Sequence, residues 1–183
     1  MRFISNLLPL LSKSSSPRVV SILAAGRETT VVTSDLELSS PENYSLVNAT
    51  NHTATLTTLS MDELSKENPK VTFIHKYPGV VKTGLLGKMF DDLKGAWKIL
   101  GVLAKKVLLP VMSLFQVSAE EAGERGLYAA ASEKYSGGGF YRLDWNDENA
   151  KDVPQLDKYR TEGMPKKVWE HTVGVFDRVL SST

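Results

Sequence analysis

Apolar and polar positions alternate along this chain in stretches that predict helices and strands in turn. Phe3, Ile4, Leu7, Leu8 and Leu11 fall on one stripe, which predicts an amphipathic helix over residues 2–12. A polar turn follows, Ser12 through Pro17. Val19-Val20-Ser21-Ile22-Leu23, β-branched and bounded by Pro17 and Gly26, predicts a buried strand. Residues 27–50 are polar and irregular. Leu56, Leu59 and Leu64 then keep helical spacing over 53–66, and Asn68-Pro69 stops the run. Val71 to His75 predicts a second strand, broken by Pro78-Gly79. Strand, helix and strand in this order predict a right-handed parallel crossover.

Beyond Thr83 the pattern changes. Residues 89–115 form a long apolar helical region interrupted by Gly101 and Pro110, of the kind that lies over a ligand cleft or packs on a partner. Ser118 with Glu121 three residues on predicts a capping box opening a helix through Ala131. Gly137-Gly138-Gly139 leads into Phe140 to Leu143, a predicted final strand. An amphipathic helix, Val168 to Leu180 within 165–181, closes the pattern after an acidic loop around Asp144 to Pro165. No internal repeat or second domain is evident, so residues 1–183 are expected to form a single domain.

Composition narrows the function. With 183 residues, 42% of them hydrophobic and 23% charged, the chain is long enough to build a core without staples. It has no cysteine, which excludes disulfides, thiolate metal sites and a thiol nucleophile. Twenty-two Lys and Arg against twenty-one Asp and Glu leave a formal charge of +1, so no basic footprint for nucleic acid is expected. The opening residues lack the small-residue cleavage signature of a secretory signal, and Lys98, Lys105, Lys106 and Pro110 argue against a membrane span over Trp97 to Phe115. A cytoplasmic protein acting on a small molecule, or bound to another protein, is the expectation. His52, His75 and His171 are isolated and make no metal site. The triple glycine lacks the Gly-x-Gly-x-x-Gly spacing of a phosphate cradle. The pairs Asp91-Asp92 and Glu120-Glu121 are expected as solvated helix-start charges, and Trp97, Trp145 and Trp169 as packing anchors.

Arg18-Val19-Val20-Ser21-Ile22-Leu23-Ala24-Ala25-Gly26, followed by Pro78-Gly79-Val80-Val81-Lys82-Thr83 directly after a strand, resembles the C-terminal half of a short-chain dehydrogenase/reductase. The style of residues 69–84 and the Trp169-containing helix resemble fungal members from natural-product pathways. The resemblance implies an α/β fold: a partial Rossmann-like three-layer sandwich with a parallel sheet, lacking the N-terminal Gly-rich dinucleotide-binding half, since no glycine turn occurs among these residues. It further implies an NAD(P)-linked oxidoreductase acting on a small carbonyl or hydroxyl intermediate of secondary metabolism. Pro78, Gly79, Val81 and Thr83 would flank the nicotinamide, and a homodimer would form through helices 2–12 and 53–66.

The family's Ser, Tyr and Lys are not retained. Alignment of the helix start places Asn48 at the Tyr position and His52 at the Lys position, with Ala24 near the Ser; Tyr44 fits only if the register shifts by a turn. His52 is the most reactive side chain of this set, because imidazole titrates near neutral pH; its structural alternative is a helix histidine bonded to backbone or water. A cofactor-free isomerase or cyclase, or a non-catalytic dimeric binding protein, therefore stands beside the oxidoreductase reading.

Overall fold

The computed structural model describes residues 1–83 and 115–181 and, between them, positions 102, 106, 107, 110 and 111. The apolar region expected over 89–115, with Asp91, Asp92 and Trp97, lies almost wholly outside the described residues. Helix α1 spans Arg2–Leu11, strand β1 Arg18–Ile22, helix α2 Leu46–Glu67 and strand β2 Thr72–Lys76. Helix α3 (Ala119–Ala131), a 3-10 turn (Glu133–Tyr135), strand β3 (Gly139–Leu143), helix α4 (Pro154–Thr161) and helix α5 (Met164–Ser181) complete the order among the described residues. The strands pair in the order β1-β2-β3, all parallel, with Val19 opposite Phe73 and Phe73 opposite Phe140. This is an α/β arrangement consistent with a partial Rossmann-like fold.

Strand periodicity sorts the sheet into two faces. The row Val19, Phe73 and Phe140 packs against Met1 just before α1, Ile4 and Leu8 of α1, Met61 and Leu64 of α2, and Trp169 of α5. On the opposite face Val20, Ile74 and Tyr141 meet Ala129 of α3 and Tyr135. A third cluster, Leu59 with Leu156, Tyr159, Met164 and Val168, ties α2 to α4 and α5. Burial of these side chains from water is the main force holding the layers together.

Several boundaries differ from the sequence expectation, each for a local reason. Helix α2 starts at Leu46 because the Ser45 hydroxyl accepts the Asn48 N–H as an N-cap. Its first two turns carry few apolar residues, so hydrophobic spacing places the start at residue 53. Helix α4 lies within the segment expected as loop; Pro154 opens it, and Leu156 and Tyr159 are its buried residues. At α3 the Ser118 hydroxyl accepts the Glu121 N–H, while the Glu121 carboxylate turns to Arg125 instead of back to the cap. The triple glycine serves the backbone: all three residues have positive φ, and a Cβ on Gly138 would lie 1.9 Å from the Pro69 carbonyl oxygen. Helix α2 has its ten buried residues between His52 and Ser65 and leaves Leu46 and Val47 exposed, while α1 leaves Phe3, Leu7 and Leu10 exposed.

Candidate functional site at the carboxyl edge of the sheet

In a parallel sheet the loops after the strands gather at one edge, where ligands of open α/β folds bind. Here that edge carries a cleft of about 200 Å³ lined by Arg27, Tyr77, Gly79, Val80, Phe115, Val117 and Trp145. Tyr77 and Trp145 follow closely on the ends of β2 and β3, and Arg27 lies in the loop after β1. The Arg27 guanidinium lies over the Tyr77 ring at 4.6 Å, and that of Arg125 over Trp145 at 4.5 Å. Arg125 also donates to the Trp145 carbonyl (3.0 Å), which fixes one aromatic wall.

Gly79 is required at the base of the cleft. Its φ is +81°, and a Cβ there would meet Val117 Cγ2 at 3.0 Å and Trp145 Cβ at 3.2 Å. The turn is pinned to the segment before α3: Val117 N–H donates to the Val80 carbonyl (3.0 Å) and Lys82 N–H to the Val117 carbonyl (2.8 Å). Pro78 is half-buried and Thr83 exposed, and the Thr83 N–H donates to the Val81 carbonyl (2.8 Å).

Beneath the cleft, on the α2 face, the last polar row of the sheet is Ser21, His75 and Arg142. His75 is fully buried, beyond the half-burial its strand position suggests. Its Nε2 accepts the Ala24 N–H (3.2 Å), so the neutral ring carries its proton on Nδ1, which donates to Thr58 Oγ1 (2.7 Å). Thr58 in turn donates to Glu28 Oε1 (2.6 Å), and Arg142 grips both Glu28 oxygens at 2.9 and 2.8 Å. Burial disfavours the His75 imidazolium most; Glu28 opposes this and Arg142 adds to it, leaving the pKa at about 4. Burial pushes the Glu28 carboxyl up, but the bonds from Arg142 and Thr58 outweigh it and hold the group below its usual range.

The candidate acid/base residues Tyr44, Asn48 and His52 sit at and before the start of α2, beside the 31–43 loop. Tyr44 is 63% exposed. Asn48 Nδ2 donates to the Asn43 carbonyl (2.8 Å). His52 is buried in the second turn of α2, and its Nε2 accepts the Val32 N–H (2.8 Å). Among the described residues its Nδ1 makes no well-formed hydrogen bond, and burial holds the ring below its usual pKa, opposed by the Asp35 carboxylate and the nearby Leu36 backbone. None of the three lines the cleft described above. His171 is half-buried with Nε2 3.7 Å from Glu37.

Sequence reasoning missed Arg27 and Tyr77 and assigned Trp145 to packing, although Trp145 is 41% exposed. The signal was their position just past the three strand ends. The residues at this edge fit a ring-sized group. Of a dinucleotide they fit the nicotinamide end, because the cleft is small and among the described residues no glycine turn at a helix N-terminus stands beside it to receive a pyrophosphate. Among the described residues no group of His, Asp and Glu could hold a metal ion, and no helix is long and apolar enough to cross a membrane.

No family model matches the chain, and no solved structure matches it. It is similar to an oxidoreductase of Emericella nidulans, 34% identical over 205 residues, covering 98% of this chain and 59% of that protein. Oxidoreductase lepF of Aspergillus flavus is 32% identical over 220 residues, covering 98% and 60%. The oxidoreductase notO of an Aspergillus species, described as containing an NmrA-like family domain, is 28% identical over 194 residues, covering 96% and 54%. The chain thus spans a little over half the length of the curated relatives it matches, and those relatives are fungal proteins named as oxidoreductases.

Proposed function

We propose that the chain forms the substrate-side part of a nucleotide-dependent oxidoreductase of the short-chain dehydrogenase/reductase type. Its substrate is a small carbonyl or hydroxyl intermediate of secondary metabolism, held in the cleft between Arg27, Tyr77 and Trp145. The observation that carries this reading is the cleft itself, at the carboxyl edge of a parallel sheet and floored by a glycine turn that any side chain would strain. Similarity along almost the whole chain to proteins named oxidoreductases supports it. NAD(P)(H), when bound, would supply or accept hydride, with its nicotinamide end against Pro78, Gly79, Val81 and Thr83. The chain's own residues orient the substrate: the aromatic walls hold a planar group and exclude water. The exposed Phe3, Leu7 and Leu10 of α1, with Leu46 and Val47 of α2, support pairing with a second copy through these two helices.

A second reading, a cofactor-free isomerase or cyclase or a binding protein, is favoured by one observation. Asn48 and His52, at the positions of the family's Tyr and Lys, are both engaged with backbone in the 31–43 loop. Thermal melting and tryptophan fluorescence of the 183-residue chain with NADPH and NADH separate the two. A saturable response to either nucleotide is expected; flat curves with both overturn the oxidoreductase reading in favour of the second.

A further inference from the structure

The loop from Ala24 to Glu28 is fixed from below, with one side chain excepted. Ala24 N–H is bonded to His75, and Arg27 N–H to the Ala24 carbonyl (3.1 Å). Gly26 has φ +80° and presses so closely on Ala150 that a Cβ would lie 3.0 Å from the Ala150 Cβ. Glu28 is buried and held by Thr58 and Arg142. The exception is the Arg27 side chain, which projects into the cleft. Among the described residues no carboxylate pairs with it: the guanidinium donates once, to the Gly26 carbonyl (3.3 Å), and otherwise lies on the Tyr77 ring. With a single hydrogen bond made, most of the guanidinium's donors are left over, and its fork matches the two oxygens of a carboxylate.

We propose that Arg27 is a specificity residue that receives the carboxylate of a small planar acid, whose unsaturated body lies between Tyr77, Trp145 and Phe115. The proposal rests on the reading of this cleft as the substrate site and names the class of substrate. A cavity of about 200 Å³ is smaller than the ~300 Å³ at which drug-sized sites begin, so the acid has one ring. The Arg27 side chain is exposed, but the buried Glu28, Arg142, Thr58 and His75 fix the loop that carries it and the Tyr77 ring supports its guanidinium, so less freedom is lost on binding than for an arginine with neither hold.

The test is a fluorescence titration of the full chain with benzoate and with its neutral isostere benzamide, in the wild type and in Arg27→Met and Arg27→Lys. Benzoate is expected to bind at least tenfold more tightly than benzamide. The preference is expected to vanish in Arg27→Met and to return in part in Arg27→Lys, with the melting temperature unchanged in both variants. Equal binding of the two probes, no binding of either, or a benzoate preference that survives Arg27→Met overturns the proposal. Failure here alongside a positive NADPH or NADH response leaves the oxidoreductase reading standing; flat nucleotide curves alongside a benzoate preference remove that reading and keep the anion site.

Discussion

Glu28 and Arg142, one in the loop after β1 and the other in β3, meet as a bidentate pair in which the Glu28 side chain is wholly buried and that of Arg142 nearly so. The pair joins the two outer strands across the end of β2, and the loop bearing Arg27 hangs from it.

Removing one member of a buried pair leaves the other charge without compensation. Arg142→Met is therefore expected to cost about 3–5 kcal/mol, seen as a lower urea midpoint. Arg142→Lys, which cannot reproduce the fork, is expected to recover less than half of the loss. Two variants with wild-type midpoints would show that the pair contributes nothing.

His75 sets a pH dependence whose sign follows from its pKa. The folded value is about 4, depressed from 6.5, so the unfolded chain binds more protons between these limits. Stability from this group is full above about pH 6.5 and is lost progressively as the pH falls toward 4, by up to about 3 kcal/mol. Glu28, also depressed, adds a further loss as the pH falls below its usual value of 4.5. Denaturant melts from pH 8 to 5 are expected to slope downward in the wild type and to flatten in His75→Gln; an unchanged slope in the variant refutes the assignment.

Thr58 is the node between His75 and Glu28. Thr58→Val keeps the shape but strands the His75 Nδ1–H, and is expected to cost about 1–3 kcal/mol. Thr58→Ser, which retains the hydroxyl, should restore most of it. If valine and serine behave alike in chemical denaturation, the hydroxyl is not the link.

The glycine triplet offers a contrast within three residues. Gly138→Ala forces a Cβ against the Pro69 carbonyl, and soluble folded protein is not expected. Gly137→Ala meets open space at φ +93° and is expected to cost about 1–3 kcal/mol while still folding. Circular dichroism of both variants checks the difference.

The crossover from β1 through α2 to β2 was legible because Val19 to Leu23, Leu56 to Leu64 and Val71 to His75 follow hydrophobic periodicity, and periodicity reports burial. The site was less so. The inner face of α2 is polar where it matters: His52 accepts from Val32, Thr55 bonds both backbone groups of Thr29, and Thr58 bonds Glu28. Such residues register as loop or surface in a sequence pattern, because their partners lie more than fifteen positions away. Arg27 illustrates the same limit: an arginine in a polar stretch has no distinguishing mark until the sheet brings Tyr77 beneath it.

Every strand pairing joins distant segments, Arg18 with Thr72 and Thr72 with Gly139, and all run in the same direction. Among the described residues no hairpin therefore joins two of the three strands, although Leu143 and Asn149 make a local antiparallel bridge, and each ladder must wait for a long loop to close. Assembly from the denatured chain should accordingly be slow, on the order of milliseconds to seconds, with strand edges open to neighbouring molecules meanwhile. Dilute, cold refolding will favour the native molecule over the precipitate.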